Sequence, residues 1–301
     1  MIRIRLPRRL KRFLLPAWNG GHRLARRLVD VARAIRDRRV ERCQVCGRVG
    51  LMVYRRRVIP PELARRWGIS ARVAEALARK ESCECSRCRA VLRARRLARV
   101  VLGLCPAGDP PRPARSIAEW ARTPEARSLR VAEINRIEGL HDALRSLPGF
   151  EASDYRDGVA PGSVADGVRS EDLTRLTFAD GSFDLVLTSE TLEHVPDLDA
   201  ALREIRRVLV PGGRHVFTVP LLPGVAETFP RAAIGPDGVR IDLAPPIFHP
   251  GGNVGYPVFT EFGADWPDLV RRAGFEVEVR FGPTTEDDLA QVYVARKPIE
   301  E

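Results

Sequence analysis

The segment 172–213, DLTRLTFADGSFDLVLTSETLEHVPDLDAALREIRRVLVPGG, constrains the fold more than any other part of the chain. It reads as acidic strand end, turn, buried strand, polar strand end, amphipathic helix and double-glycine stop, in unbroken order. Asp180-Gly181 is a turn dipeptide, with glycine free to take positive φ. The run 183–188 (FDLVLT) is short, apolar and rich in β-formers, as suits a strand covered on both faces. Asp199 is placed to cap the next helix, in which Leu202, Ile205, Val208 and Leu209 recur at helical spacing. Pro211-Gly212-Gly213 ends that helix, and 215–219 (HVFTV) is the following strand. Strand, helix and strand joined this closely make a parallel crossover, right-handed almost without exception. The pattern predicts a doubly wound α/β sheet, which binds ligands outside the carboxyl ends of its strands. Asp172, Ser189 and Glu190 fall there.

The chain has 301 residues, enough for one domain of ordinary size and a smaller one. It has no apolar run long enough for a membrane-spanning helix. Its start has a basic head but a broken apolar stretch and no small-residue cleavage site, so a cytoplasmic protein without a secretory signal is expected. The net charge of +11 conceals an asymmetry. Residues 1–100 carry 29 Lys+Arg against 7 Asp+Glu, whereas 101–301 carry 21 against 32. The basic front favours a polyanion such as RNA, an anionic lipid surface or a phosphorylated substrate. The dominance of arginine over lysine also fits a GC-rich genome, which weakens that inference.

Four regions follow from composition. Residues 1–40 form a basic arm and an amphipathic helix over 22–39, whose Leu24, Leu28, Val31 and Ile35 share one face. That face suits a membrane or RNA surface as well as packing on the neighbouring domain. Residues 41–105 hold every cysteine, with short helices predicted over 62–67, 71–80 (capped by Ser70) and 89–102. Residues 106–128 are a proline-rich linker and a helix, and 129–301 hold the sheet, with a lid-like insertion at 221–265.

Cys43-x2-Cys46 and Cys85-x2-Cys88 are two CxxC pairs, which supply four thiolates for a tetrahedral Zn²⁺. In a reducing compartment this reading is preferred to a disulfide framework. Four sulfur ligands leave no open position, so the zinc expected here is structural. Cys83, two residues before Cys85, is an alternative ligand to it.

The run 178–213 resembles the strand-four to strand-five region of class I S-adenosylmethionine-dependent methyltransferases, closest to their broad type 11-like group. The likeness spans roughly 129–296. It implies a Rossmann-like methyltransferase sheet completed by a reversed final hairpin, here 275–281 (FEVEVRF) and 291–296 (QVYVAR). It also implies S-adenosylmethionine as cofactor, with Asp172 taking the adenine amino group, the Leu173 N–H meeting the adenine ring, and Asp154 holding the ribose hydroxyls. Ser189 and Glu190 would floor the methyl-transfer site. In 129–144 (LRVAEINRIEGLHDAL), Glu133 matches the acid that ends strand one and Gly139 the last glycine of the turn, while Asn135 and Ile137 stand where earlier glycines belong. Such glycines let the backbone approach a cofactor closely; asparagine tolerates the left-handed conformation better than most residues.

His194 belongs to the family pattern. His249 lies in 241–263, rich in proline, glycine and aromatics, where this family often builds a lid over the acceptor; it is the candidate base or acceptor-binding residue. The expected function is methyl transfer to a small molecule, a sugar-linked metabolite or RNA. The alternative is a zinc-dependent nucleic-acid- or partner-binding protein whose methyltransferase-like domain is inactive.

Overall fold

The computed structural model describes residues 40–54, 59, 61–105, 114–221, 224–249, 255–280 and 289–299. The basic arm and the helix expected over 22–39 lie outside the described residues, as does most of the proline-rich linker.

The front of the chain forms a small antiparallel sheet, β1 (Val40–Arg42), β2 (Val49–Tyr54) and β3 (Cys83–Cys85), in that spatial order. Between β2 and β3 run helices α1 (Pro61–Arg66) and α2 (Ala71–Ser82). Ser70 caps α2 by accepting from the Val73 N–H, as its position before the apolar run predicted. Helix α3 (Leu92–Leu104) follows, then the one-turn helices α4 (Ile117–Trp120) and α5 (Pro124–Arg127).

The main sheet is built from β4 (Arg130–Ile134), β5 (Gly149–Asp154), β6 (Val164–Ala165), β7 (Val168–Ser170), β8 (Phe183–Ser189) and β9 (Leu209–Thr218). A helical turn, α6 (Leu140–Leu144), lies between β4 and β5, and α7 (Leu198–Val208) lies between β8 and β9. The insertion contributes three two-stranded pieces from β10 (Phe229–Pro230), β11 (Ala232–Ile234), β12 (Arg240–Asp242), β13 (Phe248–His249), β14 (Tyr256–Pro257) and β15 (Thr260–Glu261). Helix α8 (Trp266–Arg272), β16 (Glu276–Arg280) and β17 (Val292–Arg296) close the chain.

The sheet order is β16-β17-β9-β8-β4-β5-β7-β6. Strands β7, β5, β4, β8 and β9 are mutually parallel, while β17 runs antiparallel to both β9 and β16. The reversed final hairpin is therefore present. From β4 the order proceeds in opposite directions to β5 and to β8, which makes the gap between β4 and β8 the topological switch point.

Alternation along the strands divides the core into two layers. Val131, Leu185, Leu187, Val216, Val292 and Val294 face Leu97, Ala98 and Val101 of α3 and Leu140 and Leu144 of α6. Ala132, Val186, Phe217, Tyr293 and Ala295 face Leu202, Ile205 and Val208 of α7 and Trp266 and Val270 of α8. Helix α3, drawn from the cysteine-rich region, thus packs in one continuous core with the sheet. Each such leucine, isoleucine or valine contributes about 1.5–3 kcal/mol by burial.

Two local expectations need correction. Asp197, not Asp199, caps α7: its side chain accepts from the Ala200 N–H at 2.8 Å. Asp199 instead sits in the first turn, where its charge favours the helix dipole. The helix also stops before Pro211-Gly212-Gly213, and β9 already begins at Leu209. Phe183 pairs with Leu209 and Leu185 with Arg214, so the Pro-Gly-Gly stretch is a bulge within β9. Gly212 takes φ +79° there.

Candidate active site at the strand ends

Strand β4 ends in Glu133-Ile134 and turns into α6. The Glu133 carboxylate is fully buried, accepting from the Ile137 N–H at 3.2 Å and meeting His141 Nδ1 at 2.6 Å. Burial raises its pKa, with His141 opposing. Both oxygens are thereby spent on holding the turn. Asn135 takes φ +62°, the left-handed conformation that glycine would otherwise supply, and its Oδ1 accepts from the Tyr155 N–H at 2.9 Å. Ile137 is buried in the α3 layer of the core. Gly139, at φ +75°, faces the second cysteine knuckle: a Cβ there would stand 2.7 Å from the Cys88 carbonyl oxygen.

Asp154, the last residue of β5, accepts from the Arg136 N–H at 2.9 Å and so ties that strand end to the β4 turn. After β7, Asp172 accepts from the Thr174 N–H at 2.9 Å and its hydroxyl at 2.7 Å, and Leu173 is buried. Glu171, buried, accepts from Arg169 and Thr177 and stiffens the same corner.

The end of β8 is built differently. Ser189 Oγ lies 2.9 Å from Thr218 Oγ1 and accepts from Arg93 Nη1 at 3.2 Å. Glu190 turns the chain with φ +50°, an uncommon conformation for a non-glycine residue and one that clusters at functional sites. Its carboxylate is 3.1 Å from Lys80 Nζ, and Lys80 also lies 3.6 Å from Glu81, which itself accepts from Arg93 Nε at 2.9 Å. Burial pulls the Lys80 ammonium down, but Glu190 and Glu81 outweigh it and hold the pKa above its ordinary value. The Glu190 carboxyl is raised, first by burial; Lys80 opposes, while Glu81 and Glu193 add to the rise. Helices α2 and α3 therefore roof this end of the site with a network of two cations and two carboxylates, in which Lys80 is buried and the other three are partly buried.

Sequence reasoning missed Lys80 and Arg93. One signal was available: only three lysines stand among the 50 Lys+Arg of the chain, so a lysine is itself informative.

Four cysteines of the same region cluster. Cys43, Cys46, Cys85 and Cys88 bring their sulfurs within 4.8 Å of one another, with Cys43 and Cys88 3.6 Å apart and Cys46 and Cys85 3.9 Å apart. Metal–sulfur bonds of about 2.3 Å in a tetrahedron would set an edge of about 3.8 Å. Of the two candidates left open by spacing, Cys85 joins the cluster. Cys83 points elsewhere, with Arg95 Nη2 3.9 Å from its sulfur.

His249 lies on β13, 3.6 Å from Glu193 Oε1, and its ring stands edge-on to that of His194 with centroids 5.0 Å apart. Burial lowers its pKa, but Glu193 more than compensates and leaves it raised. A surface groove of about 990 Å³ lies away from all of these groups. It opens beside the amino-terminal ends of β8 and β16 among Asp180, Arg206, Arg207 and Gly274. The strand ends carry the convergent polar chemistry, and the sheet topology favours them as the site.

A family model described as a methyltransferase domain matches residues 149–217, from the start of β5 to the penultimate residue of β9. The chain is 38% identical over 87 residues to a demethylmenaquinone methyltransferase of Corynebacterium urealyticum, covering 28% of this chain and 34% of that protein. It is 41% identical over 114 residues to a sarcosine/dimethylglycine N-methyltransferase of Halorhodospira halochloris, covering 38% of this chain and 37% of that protein. The chain thus spans about a third of the length of these relatives. An S-adenosylmethionine-dependent methyltransferase of Mesorhizobium loti superposes with a TM-score of 0.38 at 23% identity, over 60% of this chain and 98% of that one, too loosely to add to the argument. The family match excludes the cysteines, the Glu133–Gly139 turn and His249.

Proposed function

We propose that this protein transfers the methyl group of S-adenosylmethionine to an acceptor bound beneath the 221–265 insertion. The observation that carries the reading is the methyltransferase-domain match over 149–217, lying on parallel strands whose carboxyl ends present Asp154, Asp172, Ser189 and Glu190 beside the switch point. Asp154 would accept from the ribose hydroxyls, since a carboxylate offers two parallel acceptors. Asp172 and the Leu173 N–H would take the adenine edge. Asn135 and Glu133 keep the β4 turn closed where glycines are missing, and Gly139 leaves room there for the cysteine knuckle. The cofactor supplies an electrophilic methyl on a sulfonium whose departure needs no proton. Catalysis then asks the protein chiefly for alignment and exclusion of water.

Cys43, Cys46, Cys85 and Cys88 would hold a structural Zn²⁺. Its role is to fix α2 and α3, so that Lys80 and Arg93 are held against Glu190 and Ser189.

Calorimetry with S-adenosylmethionine and S-adenosylhomocysteine tests the reading. Both are expected to bind, and Asp154→Ala to weaken both on the order of tenfold, the loss of a charge-assisted hydrogen bond. Absence of heat with either ligand would leave the alternative, a zinc-dependent binding protein on a methyltransferase-like fold. Acceptor classes separate by salt: a polyanion such as RNA would bind with a steep salt dependence, whereas a neutral metabolite would not.

A further inference from the structure

Glu193 is the most anomalous carboxylate among the described residues. It is fully buried, yet neither of its oxygens has a hydrogen-bond partner. Leaving a charged acceptor buried and unsatisfied is costly, so such a group points to a missing cation. Two imidazoles converge on the same oxygen: His194 Nε2 at 3.5 Å and His249 Nδ1 at 3.6 Å. These distances exceed those of hydrogen bonds. They match ligands sharing one ion, because bonds of about 2.1 Å at a roughly tetrahedral angle span about 3.5 Å.

The surroundings prepare His194 to coordinate. Its Nδ1 lies 2.7 Å from the Pro257 carbonyl oxygen, which can only accept. The neutral ring therefore carries its proton on Nδ1 and turns the Nε2 lone pair towards Glu193 and His249. An outer hydrogen bond of this kind commonly sets the tautomer of metal-binding histidines. The β13–β14 pairing supplies the third ligand, since Pro257 lies opposite Phe248, the neighbour of His249. The Phe259 N–H donates to the Glu193 carbonyl at 2.7 Å and pins the insertion to the ligand turn.

We propose that Glu193, His194 and His249 form a second metal site, for a borderline divalent cation such as Zn²⁺, distinct from the four-cysteine cluster. Three protein ligands leave a position open, as catalytic rather than structural zinc sites do. If the methyl-transfer reading holds, on which this last step rests, the open position takes an oxygen of the acceptor.

The test is cobalt(II) reconstitution of the full chain after chelation, read by metal stoichiometry and absorption. Two equivalents are expected, one with intense thiolate-to-cobalt charge-transfer bands and one with only weak ligand-field bands. Glu193→Gln and His249→Ala should each lose the second equivalent or weaken it at least tenfold, while the thiolate bands and far-ultraviolet circular dichroism stay unchanged. A wild-type chain that takes up one equivalent, all of thiolate type, overturns the site. So does a Glu193→Gln chain that keeps both. Calorimetry with S-adenosylmethionine reports on methyl transfer independently of either result.

Discussion

On the β5–β7 side of the strand ends, Asp154 and Asp172 are satisfied by groups at most 18 residues away in sequence. On the β8 side, Ser189 and Glu190 lean on Arg93 and Lys80, with Arg93 and Ser189 96 residues apart. One side is held by its own turns, the other by a separate part of the chain that also carries the four-cysteine cluster. The contrast teaches where stability and ligand binding are coupled. Substitutions on the first side should be felt mainly by the ligand. Those on the second should be felt by the fold.

The largest expected effect is at the anchor of the roof. Cys85→Ser should lose one equivalent of metal and release α2 and α3 from the sheet, lowering stability by at least about 4 kcal/mol, since a structural zinc contributes folding free energy directly. Cys83→Ser, outside the cluster, should keep that equivalent and lose far less. Metal analysis with denaturant unfolding reads both, and equal losses for the two variants would erase the distinction between them.

Next comes the network itself. Lys80→Met leaves the mostly buried Glu190 without its closest cation and should cost about 3 kcal/mol. The double variant Lys80→Met/Glu190→Gln should recover most of that loss, because it removes the stranded charge. A double variant no more stable than the single would show that Lys80 acts through packing alone.

The same contrast explains how much could be read from the sequence. The β8–α7–β9 unit was legible because its parts are fixed by neighbours, a turn dipeptide and a helical stripe, and the family resemblance placed Asp154 and Asp172 at strand ends, where they lie. The four-cysteine cluster was legible because paired CxxC spacing encodes its geometry in advance. Lys80, Arg93 and Glu193 were not, because each acquires meaning only from a residue far off in sequence. Glu193 and His194 stand adjacent in a family pattern, but His249 reaches them only through the β13–β14 pairing. The Pro-Gly-Gly bulge was misplaced for a related reason. Those residues signal a helix stop locally, while pairing to β8 pulls the strand start back to Leu209.

His215, on β9 beneath Ser189 and Thr218, extends the buried side into a pH dependence. It is fully buried, with Thr188 Oγ1 2.9 Å from its Nε2, and burial pushes its pKa down to about 3. Below pH about 6.5 the unfolded chain takes up a proton that the folded chain refuses, so stability falls as pH drops from about 6.5 towards about 3. The slope from this one group is of order 1 kcal/mol per pH unit. His215→Phe, which can keep the stack on Phe217, should remove that share of the acid sensitivity. Identical slopes in both proteins would place the sensitivity elsewhere.

The smallest effect is expected on the locally built side, at Asn135. Its left-handed backbone favours glycine, yet its Oδ1 also accepts from the Tyr155 N–H, so the two demands of the turn compete at one position. Asn135→Asp keeps an acceptor and tolerates the conformation, and should stay within about 0.5 kcal/mol of the parent. Asn135→Gly relieves the backbone but gives up the acceptor and adds freedom to the unfolded chain, for a net loss of about 1 kcal/mol or less. Asn135→Ala loses the acceptor and keeps the strain, and should cost about 1–2 kcal/mol. The order Asp, Gly, Ala in denaturant midpoint is the prediction. A glycine variant more stable than the parent would mean that the Tyr155 contact contributes nothing and that the missing glycine is merely tolerated. The predicted order means that asparagine replaces glycine with a side chain the turn uses.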